Sequence, residues 1–180
     1  MQAELTPLAS PTVAWGHVAA WIGVGGIAAA PGGSNSWLQV GLNNTGLGTD
    51  AVYYEVARLG GSPTYTQLLD SVAVGEKHRV AVLEIAGRPG WWRIWLDGKA
   101  VSTPIDLPGS HKRWAPMAMT ESWNGGHNVC NSFRYGFSAL RVAQSPGGSW
   151  TSLTDDYPLV DTGFRLLRTG SGGFVATTTG

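Results

Sequence analysis

The sequence predicts an all-β protein, a two-sheet antiparallel β-sandwich of the jelly-roll kind, and three observations lead there. Of its 180 residues 26 are Gly and 9 are Trp, while Asp, Glu, Lys and Arg together make up only 13%. Helices in water rely on charged straight-chain residues for their solvated faces, so this composition favours short strands joined by tight turns. Short apolar runs recur along the chain between clusters of Gly, Pro, Asn and Ser, as strands between turns do. None of these runs sustains a 3.6-residue period, and their number suits a sandwich or barrel.

Taken in order, residues 1–13, with Pro7 and Pro11, read as an extended lead-in, and residues 14–180 as one sandwich domain. Strands are expected at His17–Val24, Trp37–Leu42, Ala51–Arg58, Lys77–Ala86, Trp91–Leu96, Ala115–Glu121 and Tyr135–Val142. Shorter ones are expected around Leu159, Phe164–Leu167 and Phe174–Thr177. The strongest local signal is WWRIWLDGKAV, residues 91–101, where Asp97-Gly98 is the pair a type I′ hairpin turn favours. In that strand Trp92, Ile94 and Leu96 share a core face, and Trp91, Arg93 and Trp95 share the other. Two indoles and a guanidinium on one face suit either a groove wall or packing beneath a loop.

Twelve basic residues balance twelve acidic ones, and no basic stripe offers itself to nucleic acid. One cysteine, Cys130, rules out an internal disulfide framework and a multi-cysteine metal site, and is expected to be a small packing residue. The apolar stretch 18–30 is short and broken by glycines, so neither a membrane span nor a signal peptide is expected. The nucleophile-elbow pattern G-x-S-x-G is absent; its nearest approach, Gly136-Phe137-Ser138-Ala139-Leu140, lacks the second glycine. His17, His78, His111 and His127 are isolated in sequence, with no metal-ligand spacing, and read as structural or surface residues. Glycines 23, 25, 26, 32 and 33 form no phosphate-binding loop and read as a hairpin. Asn43-Asn44-Thr45 fits a glycosylation acceptor.

Four segments in order carry a further signal: WIGVGG from Trp21, LQVG from Leu38, VYYE from Val52 and MTESW from Met119. In order and spacing they resemble the eqolisin family of glutamic peptidases, whose fold is a concanavalin A-like jelly-roll sandwich. The resemblance covers residues 14 to 177. It implies that Gln39 is the catalytic glutamine and Glu121 the catalytic glutamate, with Trp21 and Glu55 supporting the groove. Gly25 stands where the family has an aspartate, and Val56 where it has an aromatic residue. The resemblance also implies a hydrolase acting on polypeptide; no cofactor, metal or membrane partner is expected, a monomer is expected, and the compartment stays open between a secreted mature form and a cytoplasmic one.

Glutamate and glutamine suit amide hydrolysis. A carboxylate can deprotonate a water for attack on the carbonyl and return the proton to the departing nitrogen. A neutral carboxamide can donate to the developing oxyanion without placing a second charge beside the base. A group that must serve as base and then as acid works best in the acid range, so an acidic optimum is expected. Trp37, Trp91, Trp95 and Trp123 are candidate walls of the groove. Two other functions fit the same residues. A carbohydrate-binding sandwich would present an exposed aromatic row such as Trp91, Trp95 and Trp123. A glycoside hydrolase would set Glu55 and Glu121 facing each other about 5–10 Å apart.

Overall fold

The computed structural model describes residues 1–29, 31–153, 158–170 and 172–179. Fourteen strands pair into two sheets among them, every pairing antiparallel. The strands of the smaller sheet are β2 (His17–Gly26), β3 (Ser36–Asn44), β4 (Asp50–Ala57), β5 (Thr64–Val72) and β10 (Pro116–Trp123), in the order β10-β2-β3-β4-β5. The larger sheet is built from β1 (Gln2–Pro7), β6 (His78–Glu84), β7 (Trp91–Leu96), β8 (Lys99–Ala100), β11 (Arg134–Val142), β13 (Phe164–Arg168) and β14 (Phe174–Thr178). Their order is β13-β14-β11-β1-β6-β7-β8, with β9 (Ile105–Asp106) beside β7 and β12 (Thr151–Ser152) beside β11. The all-β two-sheet expectation holds.

Alternation explains which residues meet between the sheets. Val18, Ala20, Ile22 and Val24 of β2 point inward, as do Leu38, Val40 and Leu42 of β3. Leu5, Tyr135 and Phe137 of the larger sheet meet them, all essentially buried. Each such aliphatic side chain contributes about 1.5–3 kcal/mol of burial free energy. One polar link crosses the core: Tyr135 of β11 donates a 2.6 Å hydrogen bond to Asp50 of β4.

The lead-in expected over residues 1–13 contains β1, which lies between β11 and β6 in the larger sheet. Ala3 and Leu5 bury inward, while Glu4 pairs outward with Arg79 and Lys77. The two prolines hid a short alternating strand. Strand β5 also escaped the sequence reading, because it is an edge strand with a largely exposed face and weak alternation. Leu159 lies outside any strand and is 89% exposed.

The Asp97-Gly98 turn forms as read, with both residues at positive φ (48° and 80°), and Trp92, Ile94 and Leu96 bury as read. Cys130 is exposed rather than a packing residue. Asn43, the residue of the glycosylation pattern, is 9% exposed within β3, and its Oδ1 accepts from the Tyr65 hydroxyl.

Candidate active site

Strand alternation that sends Leu38 and Val40 into the core turns Gln39 to the outer face of the smaller sheet. Three adjacent rows cross that face. In the first, Met117, Gly23, Gln39, Glu55 and Tyr65 stand in register from β10 to β5. Met119, Trp21, Gly41, Tyr53 and Gln67 form the second. Glu121, Ala19 and Asn43 begin the third. Gln39 and Glu121 therefore lie two strands apart and diagonal to each other.

The floor between them is kept low by small residues. A Cβ on Gly41 would lie 2.1 Å from the Ala20 carbonyl oxygen and 2.5 Å from Trp21 Cα. Gly23 is similarly confined against Leu38 and Gln39. Over this floor opens a groove of about 380 Å³, lined by Gln39, Glu55, Tyr53 and Glu121, with His17 and Asn43 at one end.

Within the groove, Gln39 is 6% exposed, and its Nε2 donates to the Tyr53 hydroxyl at 2.9 Å. Glu55 accepts from Trp37 Nε1 at 2.8 Å, which ties β3 to β4 and fixes the carboxylate beside the glutamine. Glu121 is more open, with 38% of its side chain exposed, and lies 3.6 Å from His17 Nε2. The His17 ring tilts against Trp123, centroids 5.6 Å apart. Trp21 packs with Ala19, Tyr53 and Met117, and its buried Nε1 finds no acceptor among the described residues.

The phenol of Tyr53 is held well above its ordinary pKa, first by burial and then by the charge of Glu121, with Glu55 and Tyr65 adding to both. The hydrogen bond from Gln39 acts in the opposite direction. Tyr53 therefore stays a neutral phenol that accepts from Gln39 and keeps its own proton to donate. Burial also raises Tyr65, and its hydrogen bond to Asn43 opposes that shift.

Of the residues expected at the site, Gln39, Glu55 and Glu121 line one groove, Trp21 and Trp37 pack beside it, and Trp123 stands at its end. Trp91 and Trp95 do not join them. They lie on β7 of the other sheet, with the Arg88 guanidinium 4.1 Å above the Trp91 ring. Trp91, Trp95 and Trp123 therefore form no common aromatic row.

His17, Tyr53 and Tyr65 were not singled out from sequence. His17 looked isolated because its carboxylate partner is remote in the chain. Of the other histidines, His78 bridges Asp97 and Glu76, His111 binds Glu84, and His127 packs on Trp15. Among the described residues no three His, Cys, Asp or Glu side chains come together as a metal site.

Gly25, which replaces the aspartate expected by resemblance, has a structural reason to be glycine. Its φ is +87°, and a Cβ there would lie 2.4 Å from the Ser36 carbonyl oxygen and 2.9 Å from the Trp114 ring. Trp114 fills the space a side chain would need.

The fold is shared with known peptidases. A crystal structure of scytalido-glutamic peptidase with a transition state analogue inhibitor matches with a TM-score of 0.63 at 16% identity, covering 99% of this chain and 91% of that one. A second structure of that enzyme, with a peptide-based transition state analogue, gives a TM-score of 0.62 at the same identity and coverage. SCP-B, a member of the eqolisin family of peptidases in complex with the tripeptide Ala-Ile-His, gives 0.57 at 16% identity, covering 99% and 90% of the two chains. No family model and no curated protein matches the sequence. At this identity the likeness establishes the fold, and it bears out the sandwich expected from the ordered motifs.

Proposed function

We propose that this protein is an acid-acting endopeptidase that hydrolyses peptide bonds with Glu121 as general base and acid and Gln39 as oxyanion donor. One observation carries the reading: Gln39 and Glu121, brought from distant strands, line one groove on a sandwich shared with glutamic peptidases. In the reaction, ionised Glu121 takes a proton from water as the water oxygen bonds to the scissile carbonyl carbon. The carbonyl π pair moves to its oxygen, and a Gln39 N–H meets the resulting oxyanion. Collapse of the tetrahedral intermediate breaks the C–N bond as Glu121 returns the proton to nitrogen. Glu55, fixed by Trp37, supports the strand carrying Gln39. The substrate is an unstructured polypeptide, for which a shallow groove rich in amide and hydroxyl groups offers main-chain partners. Secretion as a mature monomer belongs to the same proposal.

The deciding experiment is cleavage of casein between about pH 3 and about pH 8 by wild type, Glu121→Ala and Gln39→Ala. Cleavage should favour acid and resist pepstatin and metal chelators. It should fall roughly 10³-fold or more in the first variant and about 10²–10³-fold in the second. Undiminished cleavage by folded Glu121→Ala, or none by folded wild type, would overturn the assignment.

A further inference from the structure

We infer that Trp123, with the His17 ring against it, forms a substrate subsite that takes an aromatic or large apolar side chain close to the bond to be cut. The inference rests on the function proposed above for its occupant, an unstructured polypeptide.

Strand alternation puts Met117, Met119, Glu121 and Trp123 of β10 on the outer face of the smaller sheet. Trp123 is the last of them and stands in register with His17 of β2. The imidazole of His17 lines the groove, with Nε2 3.6 Å from the Glu121 carboxylate. The same ring tilts at 41° against the Trp123 indole, centroids 5.6 Å apart. His17 therefore borders both the proposed base and the indole, and Trp123 continues the wall of the groove beyond it.

The indole is held in place and yet left open. Asn131, 6% exposed, sends Nδ2 to the carbonyls of Trp15, His17 and Trp123, which binds the backbone of both strands at this end. Gly16 lies directly beneath: a Cβ there would overlap the Trp123 carbonyl and come 3.2 Å from ring carbon Cε3. With that support Trp123 still keeps 58% of its surface exposed. A rigid aromatic ring gives a partner a large contact area for little loss of side-chain freedom. Imidazole rather than carboxylate stands against the indole, so the contact it offers is stacking and apolar burial. That chemistry selects Phe, Tyr, Trp or a branched aliphatic side chain over a small or polar one.

Position along the strand fixes which substrate residue arrives there. Residues two apart on a strand are separated by on the order of 7 Å, and so are same-side residues of an extended peptide. With the scissile carbonyl at Glu121, the side chain on Trp123 belongs to a residue within about two positions of that bond. The other indole at this end, Trp15, is 53% exposed but lies on His127, which does not line the groove, at 4.3 Å between centroids. Trp15 is therefore the internal control.

The first test needs no turnover. Fluorescence anisotropy at about pH 4 follows binding of labelled octapeptides of Ala and Gln, alone or with one Phe or one Arg, to folded Glu121→Gln protein. The Phe peptide should bind about 10-fold more tightly than the unsubstituted one. That advantage should vanish on adding Trp123→Ala, persist largely with Trp123→Phe, and be unchanged with Trp15→Ala. No advantage for Phe, a greater one for Arg, or an advantage that survives Trp123→Ala overturns the subsite. Equal loss in Trp15→Ala also overturns it, because the loss then belongs to the whole end of the fold.

In turnover, casein fragments read by mass spectrometry should show aromatic or large apolar residues at one fixed position near the cut. Trp123→Ala should erase that preference and raise KM for the Phe peptide about 10-fold with kcat little changed, the pattern of lost uniform binding. The Phe advantage without cleavage by wild type would sink the peptidase reading and leave the subsite standing as a peptide-binding site. Cleavage without the Phe advantage would do the reverse.

Discussion

Tyr135 of the larger sheet donates to Asp50 of the smaller one across the core, at 2.6 Å, with Asp50 only 2% exposed. Burial raises the Asp50 pKa from 3.8 to about 6, and the bond from Tyr135 offsets part of that rise. The folded protein therefore holds a proton on Asp50 that the unfolded chain releases near 3.8. This contribution to stability is fully present below 3.8 and is lost as pH rises through about 6. The urea midpoint should rise as the medium is acidified from about pH 7 to about pH 4, and Asp50→Asn should flatten that rise. Glu4 has the opposite sign, because its bonds to Arg79 and Lys77 lower its pKa, so its contribution is lost in stronger acid. Tyr135→Phe should cost about 1–3 kcal/mol at neutral pH, where an ionised Asp50 would lose its donor.

Asn131 holds the end of the groove together. Its Oδ1 accepts from the backbone of Ala14 and Trp15, and its Nδ2 donates to the carbonyls of Trp15, His17 and Trp123. Asn131→Ala should cost about 1–3 kcal/mol in urea unfolding, because several part-buried backbone groups lose their partner together. Hydrogen exchange should quicken at residues 14–17 and at Trp123 before it does in the core strands.

Gly41→Ala sets a Cβ against the backbone of Ala20 and Trp21, which cannot yield as a flexible side chain would. Unfolding free energy should fall by roughly 2–4 kcal/mol, and groove residues should shift with it. Gly61→Ala is the control: its added Cβ meets only the Arg58 carbonyl oxygen at an ordinary 3.6 Å. That variant should be neutral or gain up to about 1 kcal/mol through the unfolded chain.

Gln39→Glu is the sharpest single test of the amide. It replaces the donor to Tyr53 with an acceptor and puts a second buried charge beside Glu55. Cleavage should drop at least about 10²-fold. The variant should also lose about 1–3 kcal/mol of stability at neutral pH and recover part of it in acid, where the new carboxyl takes up a proton.

The sheet strands and the faces they present were legible in the sequence because strand alternation and Gly turn chemistry are local. Trp92, Ile94 and Leu96 went inward as their spacing required, and Asp97-Gly98 turned the hairpin. The motifs around Trp21, Leu38, Val52 and Met119 were enough to point to the sandwich and to Gln39 and Glu121. Strand β1 was missed because two prolines masked a short alternation, and β5 because an exposed edge strand has no apolar face to announce it. Only the tertiary structure decided which remote residues share a groove. Register across β10, β2, β3 and β4 put Tyr53 beside Gln39 and His17 beside Glu121, and it left Trp91 and Trp95 on the other sheet. Pairing between strands far apart in the chain obeys the packing of the whole core, which no local run of residues encodes.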